Sequence, residues 1–158
     1  MLHGCDTQGV SVCQPCRLEA GPLLHLAAAK KGGSLLVGGH QALVTLELTC
    51  RSVEGDDSAP ILCLEKRRNL TQHTGGAPRS RVSRCTGVCF QPESDAVAAS
   101  GWADGRISLW DTVAKNPEPL ISQWQAHKHV NALAFLPTIA SGFSGGGCTS
   151  SSLVSAGG

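Results

Sequence analysis

Cysteine and histidine residues near the start of the chain are the first whose types and spacing could do chemistry. Cys13 and Cys16 have the spacing that lets two thiolates meet one tetrahedral zinc ion, and His3 and Cys5 precede them. A structural zinc site usually has a second paired group of ligands further along the chain, and none is evident here. We therefore favour a disordered leader over residues 1–20 with incidental cysteines, and we predict no metal and no cofactor. Zinc binding by these four residues stays open as the alternative.

Catalytic chemistry has few candidates in the sequence. There is no glycine-rich phosphate loop, no Gly-x-Ser-x-Gly elbow and no helical His-Glu-x-x-His. Cys89 is the candidate nucleophile, but its position between Val88 and Phe90 predicts a buried strand residue without an open cleft. Cys85 and Cys89 have the spacing of one strand face, where a thiol acts as a small hydrophobe. The sequence therefore predicts a protein that is not an enzyme.

Basic residues between positions 66 and 84 could bind phosphate groups, nucleic acid or an acidic partner. They are Lys66, Arg67, Arg68, Arg79, Arg81 and Arg84. No aromatic residue is interleaved with them, so a solvated loop explains them better. Lys66, Arg67 and Arg68 are kept as candidate partner-binding residues. The formal net charge of +1 argues against bulk DNA as a partner.

The stretch 85–111 predicts three short antiparallel strands. An apolar run over 88–90 is followed by a second run over 96–100. The dipeptide Asp104-Gly105 then provides residues that tolerate the positive φ of a hairpin turn. The last run, 106–111, begins with alternating apolar and polar residues and ends in Trp-Asp.

The same pattern recurs further along the chain. The run 130–137 repeats 85–92 with a constant shift of 45 residues, from position 85 to position 130. The pattern resumes at 153–158, which we align with 96–101. Short strands ending in Trp-Asp, at a period of about 40–45 residues, are typical of β-propeller blades. The chain thus resembles the WD-repeat family.

The resemblance implies an all-β fold, an incomplete WD-repeat β-propeller of about two to three antiparallel blades with flexible insertions. After the leader we expect a degenerate blade at 22–66, a basic linker at 67–84, a WD-repeat blade at 85–124 and a truncated blade at 125–158. The low-complexity tract 138–152 is either an insertion or a gene-model artefact. We expect the chain to be an amino-terminal fragment of a ring, and the number of blades in that ring stays open.

The family also implies residues with a structural role. Its blades contain a buried polar network of a His, a Ser or Thr, an Asp and a Trp. Ser100, Asp104 and Trp110 match three of these positions in the 85–124 blade, and His127 matches the fourth in the following repeat. Trp102, in the predicted turn, is either an exposed partner-binding anchor or a residue that folds onto the neighbouring blade.

A narrower resemblance concerns function. The segments KRRNL, CTGVCFQP, GRISLWD and AHKHVNALAFLP occur in an order similar to that in WD-repeat subunits of the vacuolar or lysosomal complex that regulates the TOR kinase. This similarity covers residues 34–137 and implies a non-catalytic interaction scaffold with other protein subunits as partners. It implies a cytoplasmic protein, at the vacuole or lysosome surface in that complex, without a membrane span or a small-molecule substrate. The alternative is a phosphate- or nucleic-acid-binding propeller that uses the basic segment 66–84.

Overall fold

The structure is a computed structural model, and it describes residues 13–14, 18, 22–40, 42–51, 61–73, 83–92, 94–113, 115, 118–137 and 151–158. Within these residues the chain forms eleven strands in three sheets and one 3₁₀ turn at Leu70–His73, with no α-helix. The predicted all-β class is confirmed.

The first sheet has the strand order β1-β5-β4-β3-β2. Its strands are β1 Cys13–Gln14, β2 Leu23–Ala28, β3 Ser34–Gly39, β4 Leu43–Arg51 and β5 Ile61–Asn69. Strands β2 to β5 are successive antiparallel neighbours, while β1 pairs in parallel with β5. In β2 half-buried and exposed side chains alternate, because successive side chains of a strand point to opposite faces.

The second and third sheets follow in chain order. The second is the antiparallel series β6 Cys85–Gln91, β7 Ser94–Trp102, β8 Arg106–Asp111 and β9 Leu120–Gln125. The third contains β10 Val130–Leu136 and β11 Ser152–Gly157, also antiparallel. A hairpin connects β7 to β8, and Gly105 in its turn has a φ of 85°, a backbone angle that residues other than glycine rarely adopt.

The three sheets pack face to face, with their first strands side by side. Strand β6 contacts β2 and β3 on one side and β10 on the other. One core lies between the first two sheets and joins Leu36 and Leu43 to Trp102 and Trp110. Between the second and third sheets, Val130 is fully buried against Gly101.

Two glycines allow this close approach between sheets. A Cβ on Gly38 would lie 2.5 Å from Cys85 Sγ, and a Cβ on Gly101 would lie 2.6 Å from Val130 Cγ1. Both distances are shorter than any real contact of a Cβ atom. Because Cys85 and Val130 are separated by the 45-residue shift of the repeat, Gly38 and Gly101 occupy equivalent positions in successive sheets.

Several boundaries differ from the sequence-based prediction. Strand β5 continues to Asn69, so residues 67–69 belong to the first sheet and not to a linker. Cys13 and Gln14 form a strand inside the predicted disordered leader, because their backbones pair with β5, and the prediction is wrong for these two residues. The tract 138–152 lies outside the described residues except at its end, where β11 begins.

A bulge in β6 changes which face its residues occupy. The register between β6 and β7 shifts between Cys85 and Gly87. Cys85 therefore lies against Gly38 of the first sheet, while the thiol of Cys89 is hydrogen-bonded to the backbone of Phe135 in the third. The prediction that the two cysteines share a face is wrong, because it assumed a regular strand.

Candidate functional site

Trp110 is the central buried side chain of the second sheet. It is 2% exposed, and its indole Nε1 donates a hydrogen bond of 2.8 Å to the buried Ser100 hydroxyl. Trp110 is paired across the ladder with Ala98, so its ring lies over a small neighbour on the same face. The serine satisfies the one polar atom of the indole, which would otherwise be buried without a partner.

Trp102 forms a second tryptophan–serine pair on the same face. Strand β7 extends through Trp102, so the residue lies in the strand and not in the turn where the sequence analysis put it. It is 5% exposed, packs in the core against the first sheet and donates a hydrogen bond of 3.3 Å to Ser108 Oγ. The structure therefore supports the second of the two predicted roles, in which Trp102 folds onto the neighbouring blade. The prediction of an exposed partner-binding anchor is wrong.

Asp104 is placed apart from the tryptophan–serine pairs. It is exposed in the β7–β8 turn, where its carboxylate accepts hydrogen bonds from the Arg106 backbone N–H at 3.2 Å and from Arg106 Nε at 2.7 Å. The prediction that Asp104 belongs to a buried polar network is wrong, because its carboxylate is exposed and bonded to Arg106. An aspartate two residues before its backbone donor stabilises a turn by itself, so the turn needs no buried histidine.

His127 makes the corresponding polar contact of the third sheet. Its Nε2 lies 2.9 Å from Ser155 Oγ. Ser155 pairs with Leu133, as Ser100 pairs with Val88, so Ser155 is the equivalent of Ser100. The predicted alignment of 153–158 with 96–101 is therefore wrong by two residues.

The first sheet has aliphatic residues at the positions of the tryptophan and its serine. Leu46 pairs with Leu35 as Trp110 pairs with Ala98, and each partner lies three residues before the equivalent glycine. Leu46 is fully buried, and Val37, at the position of the serine, is 1% exposed. Both belong to one apolar cluster. The blade that sequence analysis predicted to be degenerate thus keeps its packing while lacking the polar pair.

The β7–β8 turn is joined to the segment that leads into β10. The backbone N–H groups of Ala126 and His127 donate to Gly105 O, and Gln125 Nε2 donates to Asp104 O at 2.7 Å. His129 Nδ1 lies 2.7 Å from Ala103 O. Since a carbonyl oxygen only accepts, Nδ1 carries the hydrogen and Nε2 is left for other partners.

A pocket lies at the edge where β2, β6 and β10 begin, and we call it the inner-strand pocket. Its volume is about 340 Å³. Leu24 and Val130 supply its apolar wall, and the polar residues that line it are His25, Arg84, Thr86, His129 and Asn131. Sequence reasoning missed this group. The 45-residue shift was the signal that could have found it, because it relates 84–86 to 129–131.

The predicted basic residues Lys66, Arg67 and Arg68 lie in β5, the strand next to the outermost one of the first sheet. Arg67 is paired with Glu47, with Nη2 2.7 Å from Oε1. Its charge is therefore balanced within the sheet. Arg79 and Arg81 lie outside the described residues, and Arg84 lines the inner-strand pocket instead of a basic loop. Among the described residues of the segment 66–84, nothing in this arrangement favours phosphate or nucleic-acid binding.

The cysteines of β6 are poor nucleophiles. Burial raises the pKa of Cys85 to about 11 and the pKa of Cys89 to about 11. The thiolate is the reactive form, so both side chains are unreactive at neutral pH. Across the described residues, no three His, Cys, Asp or Glu side chains are grouped to hold a metal ion. His3, Cys5, Cys16 and the side chain of Cys13 lie outside the described part of the chain.

Comparison with known proteins identifies the architecture. No protein-family model matches the sequence, and no curated protein matches it. Among solved structures, the WD40 domain of Neurospora crassa Pan2 is similar over 96% of this chain, with a TM-score of 0.52 and 17% identity. The chain spans 40% of the length of that domain. The likeness shows the fold: the three sheets are successive blades of a partial WD40 β-propeller. In the part of the chain that the structure describes, no helix has the length and apolar character to span a membrane.

Proposed function

We propose that the chain is a non-catalytic protein-interaction module. The observation that supports this most directly is the common edge at which β2, β6 and β10 begin and the β7–β8 turn lies. Backbone bonds from 126–127 to Gly105 and the contact of His129 with Ala103 hold the segments of this edge together. Propellers present such rigid edges to their partners, and a preorganised surface loses little freedom on binding.

Paired charge reversals on the two edges of the blades test this proposal. Lys128 is exposed at the edge just described, whereas Lys115 is exposed in the β8–β9 connection at the opposite edge. Tagged wild-type chain, Lys128→Glu and Lys115→Glu are expressed in cells and purified, and their thermal unfolding is compared. We expect wild-type and Lys115→Glu to recover one protein in stoichiometric amount, and Lys128→Glu to recover less of it. Recovery of no stoichiometric protein by wild-type chain contradicts the proposal.

A finer proposal places the module in a complex that signals amino-acid supply to the TOR kinase, at the vacuole or lysosome surface. Its support is the similarity over residues 34–137, which includes β3 to β10. The test is co-precipitation of the other subunits of that complex with the tagged chain, in amino-acid-fed and starved cells. Absence of these subunits, with another stoichiometric partner present, would leave the interaction module and eliminate the TOR assignment.

A further inference from the structure

We infer that the inner-strand pocket binds a carboxylate group of an acidic peptide. The inference deepens the proposed function and rests on it, because it assigns a chemical class to the partner that the edge would contact. The carboxylate is either an Asp or Glu side chain or the end of a chain. These sources share one chemistry and are separated by the experiment below.

The shape of the pocket suits one side chain and its flanking backbone. Its volume of about 340 Å³ lies at the lower end of the range for small-ligand sites. Residues from three sheets surround it, with His25 on β2, Thr86 on β6 and Asn131 on β10. A ligand in the pocket would therefore contact all three blades at once.

The charge of the pocket selects an anion. Arg84 is exposed, lies one residue before β6 and lines the pocket, and none of the described lining residues is acidic. By contrast, Arg67 and Arg106 are each paired with a carboxylate of this chain, Glu47 and Asp104. The guanidinium of Arg84 thus offers its planar set of donors to a group from outside.

Neutral polar groups accompany the arginine. Among the buried side-chain polar atoms of the described residues, the Thr86 hydroxyl is the one that lacks a hydrogen-bond partner. Asn131 is exposed at the rim, and its side-chain amide can donate to a carboxylate. One cation among neutral donors balances the single charge of a carboxylate. Phosphorylated motifs are typically bound by clusters of arginines, whereas the described residues that line this pocket include one arginine.

Four probes test the inference on the full chain by isotope-edited NMR titration of the backbone amides. The first is a blocked tripeptide with one central glutamate, and the second is its glutamine counterpart. The third is a triglycine with a free carboxyl end, and the fourth is inorganic phosphate. We expect saturable shifts at the amides of Thr86 and Asn131 with the glutamate peptide, the free-end peptide or both, and none with the glutamine peptide. Which of the two carboxylates binds more tightly identifies the source.

Two arginine variants provide the matched comparison. Arg84→Gln should weaken carboxylate binding about tenfold, because a hydrogen bond to a charged group is lost. Arg67→Gln, which removes another exposed arginine, from β5, should leave binding unchanged. Arg84→Lys keeps the charge and should bind with intermediate affinity, which separates loss of binding from loss of folding. Equal binding of the glutamate and glutamine peptides, tighter binding of phosphate, or unchanged binding by Arg84→Gln overturns the inference. If the cellular partner is recovered while these carboxylate tests fail, the proposed function stands and the inference falls.

Discussion

The first and second blades fill the centre of the same face with side chains of different chemistry. In the second, Trp110 fills the centre of one face and its N–H is satisfied by Ser100. In the first, Leu46 and Val37 hold the equivalent positions, and both are buried without any polar atom to satisfy. A blade of this chain thus needs its face filled by buried side chains, and the tryptophan–serine pair is one way of filling it.

The two solutions have different sensitivities. An aliphatic cluster tolerates volume-conserving changes but is damaged by any polar group, because nothing nearby could satisfy that group. A buried polar pair is damaged by removal of either member, because the other is left without a partner. Substitutions at equivalent positions in the two blades should therefore have effects of different kinds.

The largest effect is expected at Trp110. Trp110→Ala should lower the free energy of unfolding by about 3–5 kcal/mol, since it removes a buried aromatic ring and strands the Ser100 hydroxyl. Trp110→Phe keeps most of the ring and should lose clearly less. Chemical denaturation followed by circular dichroism measures both. A loss below about 1 kcal/mol for Trp110→Ala would show that this ring does not support the blade.

The next largest effect is expected at Leu46. It tests whether Leu46 in the first blade is equivalent to Trp110 in the second. Leu46→Ala should cost about 2–4 kcal/mol, because the side chain is fully buried. Leu48 lies two residues further along β4 and is 42% exposed, so Leu48→Ala serves as the control. The same denaturation experiment applies. Equal losses for the two variants would mean that Leu46 does not play the part of Trp110.

Gly101 tests the spacing between blades. Gly101→Ala places a Cβ 2.6 Å from Val130 Cγ1, and valine is too stiff to move aside easily. We expect a loss of about 1–3 kcal/mol in the free energy of unfolding. Gly38→Ala, at the equivalent interface with Cys85, should behave alike. If thermal unfolding of either variant is unchanged, the blades are not packed as closely as described.

The polar partner alone should have a smaller effect, and here the two blades should respond to opposite changes. Ser100→Ala should cost about 1–2 kcal/mol by leaving the Trp110 N–H unpaired. Val37→Thr, nearly equal in volume, should cost a similar amount by burying a hydroxyl among aliphatic groups. Equilibrium unfolding of both variants measures the two losses in free energy. A neutral Val37→Thr would indicate that the first blade can accommodate a polar pair.

The smallest effect at neutral pH concerns the interface thiol Cys85. Burial raises its pKa from 9.0 to about 11, so the folded chain keeps the proton to a higher pH than the unfolded chain. Its contribution to stability is intact below pH 9.0 and is lost as the pH rises toward 11. The free energy of unfolding of Cys85→Ala should therefore fall less steeply with rising pH across that window than that of the wild-type chain. Identical profiles for variant and wild-type chain would contradict this origin of alkaline sensitivity.

The fold could be predicted because its signals are local and repeated. The Asp104-Gly105 turn, the period-two alternation and the 45-residue shift each act over a few residues or recur along the chain. The two alignment-dependent errors have a common cause. Trp102 was assigned to a turn that begins one residue later, and β11 was shifted by two residues, because strand ends and registers depend on pairing with neighbours.

The site was harder to predict than the fold. Arg84, His129 and His25 are far apart in sequence and meet only because three strands begin at one edge. The bulge that separates the faces of Cys85 and Cys89 also has no local signal, since it follows from the register of β6 on β7. Tertiary contacts bring these residues together, and for the pocket the 45-residue shift that relates 84–86 to 129–131 was the signal available in the sequence.

The short parallel strand β1 has a consequence for the solubility of the chain. Its pairing with Leu62 and Cys63 covers part of the outer edge of β5, whereas no described strand covers the outer edge of β9. Open edges are templates for joining another chain's sheet. Residues 13–14 thus protect part of the β5 edge against pairing with another chain, and deleting them should leave that part of the edge open to such pairing.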